Sequence, residues 1–182
     1  RIIRMNLLLH ICCGPCALYP VKELLNKKFD KITGFFYNPN IHPPSEYKRR
    51  RDALLEAASK ICLEVIMPEY KMEEYFRKTL SKEDSHERCQ LCWELRLSET
   101  ADFAKANGFD AFTTTLLVSP YQDHEKVKKI GERIAGEKGV QFYYQDFRLG
   151  FKDGQEQAKK ENLYRQKYCG CVFSELERVK VK

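Results

Sequence analysis

Short apolar runs alternate along this chain with longer segments in which apolar residues recur at helical spacing. The runs predict five buried β-strands, at residues 5–9, 32–37, 63–67, 110–115 and 140–144. The periodic segments predict helices at residues 21–28, 45–62, 72–79, 89–107 and 125–137, and a helical tail from residue 155 that is interrupted at residues 168–171. Residues 81–88 are predicted to form a loop, and Gly108 and Gly139 to end the helices before them.

Strands that alternate with helices across short connections are typical of a sheet covered by helices. We therefore predict an α/β fold, with a doubly wound, mostly parallel five-stranded sheet, flanking helices of the HUP/Rossmann-like kind and a helical C-terminal tail. By analogy with such folds, the fourth strand is expected beside the first. The length of 182 residues and the lack of a linker-like segment favour a single domain over residues 1–182.

Composition bears on where the protein acts and what it binds. No segment approaches the roughly 18 apolar residues that cross a bilayer, and the N-terminal residues do not resemble a secretory signal. We expect a cytoplasmic protein without a membrane partner. The formal net charge of +6 suits a polyanionic partner, because summed positive charge attracts phosphates. The sequence carries no signal for the oligomeric state.

Cysteine is the residue type that points to chemistry. In a chain of this size and composition, clustered cysteines more often serve metal or redox chemistry than structural disulfides. Seven of the eight cysteines fall into three groups: Cys12, Cys13 and Cys16; Cys89 and Cys92; Cys169 and Cys171. The first group follows the first predicted strand, where open α/β sheets bind ligands and the next helix N-terminus favours thiolates. Cys62 has no partner in the sequence and is expected in the core.

Four cysteines from two of these groups could bind one metal centre as thiolates. Cys89 and Cys92 lie three residues apart on a predicted helix and so share a face. With Cys12 and Cys13 they provide the number of ligands that a tetrahedral zinc ion or a [4Fe-4S] cluster requires. Adjacent cysteines point in different directions, which favours a cluster, in which each thiolate binds a different iron. A structural zinc ion and buried free thiols stay open as alternatives.

The remaining cysteine patterns allow thiol chemistry. Cys13 and Cys16 form a Cys-x-x-Cys motif at a helix start, as in thioredoxin-like oxidoreductases, although that interpretation leaves the other two groups without a role. Cys169 and Cys171 are separated by one glycine, and a small strained ring between them would suit a redox-active disulfide. Two unrelated thiols are the alternative.

Four motifs occur in one order along the chain: Cys-Cys-Gly-Pro-Cys at 12–16, Cys-x-x-Cys at 89–92, Thr-Thr-Thr-Leu-Leu-Val-Ser-Pro-Tyr-Gln at 113–122 and Tyr-Cys-Gly-Cys at 168–171. In this set, and nearly end to end, the chain resembles the QueH family of epoxyqueuosine reductases. The resemblance implies an iron-sulfur enzyme that reduces the epoxide of epoxyqueuosine, at the wobble position of certain tRNAs, to queuosine without cobalamin. Its partners would be that tRNA and an external electron donor.

The resemblance also implies roles for individual residues. A [4Fe-4S] cluster would be held by Cys12, Cys13, Cys89 and Cys92, while Cys169 and Cys171 would act as a catalytic redox pair. An additional iron would be bound by cluster cysteines and an aspartate, for which Asp146 is the first choice and Asp123 and Asp110 are the reserves. Such an iron would bind and polarise the epoxide oxygen. A zinc-stabilised nucleic-acid-binding module and a thioredoxin-like oxidoreductase are the competing functions.

Basic and polar side chains offer contacts to a tRNA. Residues 48–51 are Lys-Arg-Arg-Arg, and these residues and the group Arg165, Lys167 and Tyr168 are candidates for phosphate contacts. The polar residues after the fourth strand are candidates for binding the modified base, with strand formation and helix capping as their structural alternative: Thr113, Thr114, Thr115, Ser119 and Gln122. His10 is expected to satisfy hydrogen bonds in the core, and Trp93 to pack beside the metal site.

Overall fold

The structure of the protein, a computed structural model, describes residues 5–27, 29–82 and 84–180. Lys28 and Glu83, which fall in a predicted helix and a predicted loop, and the last two residues of the predicted tail lie outside the described residues. The strands are β1 (Met5–His10), β2 (Phe29–Phe35), β3 (Glu64–Ile66), β4 (Ala111–Thr114) and β5 (Gln141–Phe142). The α-helices are α1 (Gly14–Leu25), α2 (Pro44–Lys60), α3 (Met72–Thr79), α4 (Ser85–Ala106), α5 (His124–Lys138), α6 (Phe151–Lys160) and α7 (Val172–Lys180).

The five strands form one parallel sheet in the order β3-β2-β1-β4-β5. The predicted contact between the first and fourth strands is confirmed, with Leu8 opposite Phe112 and His10 opposite Thr114. The strand order reverses at this pair, so the chain leaves β1 and β4 on either side of a crevice at the carboxyl edge of the sheet. The segments that follow β1 and β4 are therefore placed at the position where such folds bind ligands.

Helices cover both faces of the sheet. On one face α1 packs against α2 and α6, and on the other α4 packs against α3 and α5. The central strand β1 is covered on both sides, which explains why Leu7, Leu8 and Leu9 form a continuous apolar run instead of alternating with polar residues. Gly14 permits the close approach of α1 and α2, because a Cβ atom there would lie 2.7 Å from the carbonyl oxygen of Ala53.

Among the helices that begin earlier than predicted, α1 and α4 start near a cysteine. Helix α1 begins directly after Cys13, because Pro15 sits in its first turn, where a missing N–H costs no hydrogen bond. Helix α4 begins at Ser85 instead of residue 89, because the carboxylate of Asp84 accepts a hydrogen bond of 2.9 Å from the backbone N–H of Glu87. The predicted loop is shorter, and Cys89 lies within the helix.

The remaining predictions concern the helix-ending glycines, the interrupted tail, Cys62 and membrane-spanning segments. Gly108 and Gly139 follow α4 and α5 with φ angles of 71° and 65°, as helix-ending glycines do. The tail is interrupted where predicted but over a longer stretch: residues 161–167 are predicted to be helical, and the chain is not α-helical anywhere between Lys160 and Val172. The prediction that Cys62 lies in the core is wrong: its side chain is exposed, in the turn that ends α2. No helix in the described ranges is long and apolar enough to cross a membrane.

Candidate functional site

The first cysteine group lies at the carboxyl end of β1. Cys12 and Cys13 follow the strand and Cys16 lies in the first turn of α1. The three sulfur atoms lie within 4.8 Å of one another, and those of Cys12 and Cys13 are 3.8 Å apart. We call these residues the sulfur triad. Three soft donors at this spacing suit a thiophilic metal ion.

Two hydrogen-bond donors contact the sulfur triad. The hydroxyl of Thr115 lies 3.4 Å from the sulfur of Cys12 and also accepts a hydrogen bond from the backbone N–H of Cys12. The side-chain amide of Gln166 lies 2.9 Å from the sulfur of Cys13 and 3.8 Å from that of Cys16. Donors in these positions stabilise thiolates in preference to thiols.

The protein distributes charge unevenly within the sulfur triad. Hydrogen bonds from Cys13 and Cys16, assisted by the charge of Arg96, hold the pKa of Cys12 well below its ordinary value. Burial raises the pKa of Cys13, and the hydrogen bonds to its two neighbours raise that of Cys16. Cys12 is thus the thiol of the triad that most readily becomes a thiolate and a metal ligand.

The other two cysteine groups meet in a second place. A cavity of about 50 Å³ is lined by four cysteines, Cys89, Cys92, Cys169 and Cys171, and we call it the cysteine cavity. Tyr75 and Trp93 also line it. All eight cysteines of the chain are free thiols. Burial raises the pKa of Cys92 to about 12 despite the nearby charge of Arg96, so this thiol needs a metal to ionise at neutral pH.

The four predicted cluster ligands therefore occupy two places. Cys12 and Cys13 belong to the sulfur triad, and Cys89 and Cys92 face the cysteine cavity. Arg96 lies between the two groups, with a guanidinium nitrogen 3.6 Å from the sulfur of Cys92 and a charge that acts on Cys12.

The loop that carries Cys169 and Cys171 is held by a buried ion pair. Arg50 and Glu46 pair at 2.9 Å, and each side chain is 1% exposed. Arg50 also donates to the backbone oxygens of Cys169 and Tyr168, at 2.9 and 3.0 Å. The prediction that Arg50 contacts tRNA phosphates is therefore wrong, because its guanidinium is used inside the protein.

Gly170 fits tightly within this loop. Its φ angle of 143° is one that other residues rarely adopt. A Cβ atom would lie 3.3 Å from a guanidinium nitrogen of Arg50 and 3.1 Å from the side-chain nitrogen of Asn40. The glycine of the Cys-Gly-Cys motif thus allows the two cysteines to lie against the buried ion pair.

Gln122 joins the loop after β4 to the cysteine cavity. Its side-chain oxygen accepts a hydrogen bond of 2.8 Å from the indole of Trp93, and its nitrogen lies 3.6 Å from the sulfur of Cys169. Trp93 therefore packs beside the cysteines, as expected. Gln122 is placed to orient the Cys169 thiol.

The threonines at the end of β4 and directly after it serve the interior. Thr113, Thr114 and Thr115 are fully buried, so they are not accessible to a tRNA base in this structure. Thr114 bonds to the ring of His10 at 2.8 Å. Burial lowers the pKa of His10 to about 3, which keeps the ring neutral and agrees with the expected structural role.

None of the three candidate aspartates contacts a cysteine through a hydrogen bond in the described part of the chain. The carboxylate of Asp146 is held by Arg148, whose hydrogen bonds lower its pKa to about 2. Asp123 caps α5, and Asp110 accepts a hydrogen bond from the backbone of Asn6. The assignment of Asp146 to an additional iron stays a prediction.

Sequence reasoning missed three buried charges, Glu46, Arg50 and Arg96. A charged residue in an amphipathic helix is normally assigned to the surface. The available signal was spacing, since Arg96 lies four residues after Cys92 and Glu46 lies four residues before Arg50, and such pairs share a helix face.

Comparisons with known proteins agree along nearly the whole chain. Residues 7–177 match the family model described as "Epoxyqueuosine reductase QueH". A relative with that name from Dehalococcoides mccartyi is 39% identical over 174 residues, which cover 95% of this chain and 94% of the relative. One from Thermotoga maritima is 38% identical over 181 residues, covering 95% and 92%.

A solved structure supports the fold. It is described as a predicted subunit of a tRNA methyltransferase from Methanocaldococcus jannaschii, and it matches with a TM-score of 0.52. The match covers 85% of this chain and 74% of the other, at 13% sequence identity. At this identity the likeness concerns the α/β architecture alone.

Proposed function

Because this chain belongs to the QueH family of epoxyqueuosine reductases, we propose that it removes the epoxide oxygen of epoxyqueuosine in tRNA and so forms queuosine. The chain is accordingly an oxidoreductase. The reaction breaks both carbon–oxygen bonds of the epoxide, forms a carbon–carbon double bond and releases water, so it consumes two electrons and two protons. The substrate tRNA places this reaction in the cytoplasm.

The observation that carries the proposal is the gathering of three cysteine groups. The triad sulfurs lie within 4.8 Å of one another, and four further cysteines line the cysteine cavity. Arg96 faces a thiol of both. Two-electron chemistry on a substrate without its own reductant needs such a store of redox-active groups.

The donor set fits a metal centre. The triad offers soft sulfur ligands at short separation, and the buried cation of Arg96 suits a centre whose ligands are thiolates. We assign Cys12, Cys13, Cys89 and Cys92 as the residues that would hold a [4Fe-4S] cluster. When bound, the cluster would supply electrons one at a time.

An additional iron remains part of the proposal, with Asp146 as its predicted ligand. The carboxylate of Asp146 is exposed in part and is bound by Arg148. It would have to exchange that partner to reach a metal.

Cys169 and Cys171 are proposed as the catalytic dithiol. Their oxidation to a disulfide would release two electrons and two protons, which matches the demand of the epoxide, and an external donor would restore the dithiol. Both thiols are free, both line the cysteine cavity, and Gln122 and Arg50 hold the loop that carries them.

The segment after α6 supports contact with RNA. Tyr164, Gln166 and Tyr168 donate hydrogen bonds to partners within the protein, while the alternate residues Arg165 and Lys167 are exposed. Two cations thus flank Gln166, the residue that contacts the sulfur triad. We assign them to tRNA phosphates beside the site.

The competing functions receive less support. A thioredoxin-like exchange through Cys13 and Cys16 needs an accessible thiolate, whereas these side chains are 1% and 5% exposed and their pKa values are raised. A zinc-stabilised binding module leaves the separate cysteine cavity without a role.

The proposal is tested on protein purified without oxygen. We expect a brown protein with cluster absorbance and about four or more irons per chain. It should convert epoxyqueuosine in tRNA to queuosine when a reductant is supplied, as measured by mass spectrometry of the digested nucleosides. A colourless protein that carries only zinc after cluster reconstitution would overturn the proposal.

A further inference from the structure

Arg96 is a buried cation whose charge acts on a thiol from each of the three cysteine groups. It lies one turn after Cys92 on α4 and is 1% exposed. A guanidinium nitrogen lies 3.6 Å from the sulfur of Cys92, and its charge also acts on Cys12 and Cys169. One side chain thus contacts a thiol of one group and acts through its charge on a thiol of each of the other two.

The counter-charge of Arg96 is missing from its surroundings. No ion pair joins Arg96 to a carboxylate among residues 5–27, 29–82 and 84–180, and its Nε has no hydrogen-bond partner there. A buried cation without a compensating anion is strongly unfavourable. The other buried arginine, Arg50, shows the ordinary solution, since it pairs with Glu46. The sulfur of Cys92 lies 3.6 Å from the guanidinium, so a metal-bound thiolate there would supply the missing charge.

We propose that Arg96 is a positioning residue that balances the charge of the metal-bound thiolates and makes reduction of the bound centre easier. The inference rests on the proposed function, because it requires a cluster. Four thiolates around an oxidised [4Fe-4S] core give a net charge of about −2, and one electron from an external donor makes it more negative. A buried cation beside the ligands stabilises the reduced form more than the oxidised form.

The same argument explains the choice of arginine. The guanidinium stays charged whether or not a centre is bound, whereas a buried lysine would keep its charge only beside the bound thiolates. One guanidinium nitrogen contacts the sulfur of Cys92, while the charge acts on Cys12 and Cys169 from the same position. Arg96 thereby links the sulfur triad electrostatically to the cysteine cavity.

The test compares Arg96→Gln, Arg96→Met and Arg96→Lys in the full-length holoenzyme. Anaerobic redox titration, followed by electron paramagnetic resonance of the reduced cluster, measures the midpoint potential, and iron per chain measures retention. We expect the Gln and Met variants to be harder to reduce than wild type and the Lys variant to lie closer to wild type. Thr100→Ala is the matched control, because it removes a buried hydroxyl one turn along α4, bonded to the carbonyl of Arg96, without changing charge.

Each outcome decides the inference. Unchanged potentials in the Gln and Met variants with full iron would overturn it while leaving the proposed function intact. If Arg96→Gln and Arg96→Met lose the cluster, its retention in Arg96→Lys and Thr100→Ala supports the inference. Equal loss of the cluster in Arg96→Lys and Thr100→Ala overturns it. Wild-type protein that binds no iron would overturn the proposed function first, and this inference with it.

Discussion

Gln166 donates a hydrogen bond of 2.9 Å to the sulfur of Cys13. The two residues lie at opposite ends of the chain, and this contact brings the segment after α6 onto the sulfur triad. Gln166→Leu should weaken metal retention by about 10- to 100-fold, because a residue that orients a ligand contributes on that scale. Iron release to a chelator, followed by loss of cluster absorbance, measures the effect.

The matched control for Gln166 is Gln141→Leu. Gln141 is exposed at the start of β5, at the edge of the sheet opposite the cysteines. Its replacement should leave iron release unchanged. Equal rates of release from both variants and wild type would show that Gln166 does not support the metal ligands.

The sequence predicted the fold around the sulfur triad better than it predicted the buried charges beside the cysteines. Apolar runs and Gly-Pro placement predicted β1, its end at the cysteines and its pairing with β4, because these follow from local pattern and a common topology. The burial of Arg96 and Arg50 could not be predicted in this way. Helical patterning assigns charged residues to solvent. Spacing pairs Arg50 with Glu46 and Arg96 with Cys92, but only the folded chain covers these helix faces and brings the loop carbonyls to Arg50.

Cys169→Ala/Cys171→Ala should separate electron supply from cluster binding. We expect the double variant to keep its iron, because the proposed ligands are intact, and to lose multiple turnover with the natural electron donor. Queuosine formed per enzyme, with iron per chain, checks both statements. Cys62→Ala removes an exposed thiol and is the control that should turn over normally. Normal turnover of the double variant would exclude the pair as a redox element.

The buried pair of Glu46 and Arg50 should behave as a unit. Arg50→Met removes the buried partner of Glu46, whose carboxylate keeps the more exposed Arg49 and the hydroxyl of Tyr164. The substitution is expected to cost up to about 3–5 kcal/mol in the free energy of unfolding, whereas Arg50→Met with Glu46→Gln should recover part of it. Urea denaturation of the single and double variants measures this. If the losses in the free energy of unfolding simply add in the double variant, Arg50 and Glu46 are not energetically coupled.

The same variants should also change the reactivity of the loop. Arg50 donates to the backbone of Tyr168 and Cys169, so its loss should free the loop and speed alkylation of Cys169 relative to Cys62. Mass spectrometry of labelled peptides gives the two rates. An unchanged ratio would show that Arg50 stabilises the fold without holding the loop.

Arg165→Ala and Lys167→Ala should weaken tRNA binding without changing the metal site. Each lost phosphate contact is expected to lower the slope of log affinity against log salt by about 1. Filter binding at several salt concentrations measures the slope. Lys22→Ala is the control, because Lys22 is an exposed cation in the last turn of α1, away from the helix start that carries Cys16. Slopes equal to that of the control would remove these two residues from the RNA-binding surface.

The three candidate aspartates can be separated by their structural roles. Asp146→Asn should remove one iron and leave the cluster spectrum intact if Asp146 binds the additional metal. Asp123→Asn and Asp110→Asn should affect the α5 cap and the start of β1, with iron content unchanged. Arg148→Gln adds a sharper test: it removes the guanidinium hydrogen bonds that lower the pKa of Asp146 and leaves the carboxylate with the backbone N–H of residue 148. Metal analysis of this variant should then show the additional iron retained at lower iron concentrations than in wild type. Loss of that iron in the Asp110 or Asp123 variant instead would reassign the ligand.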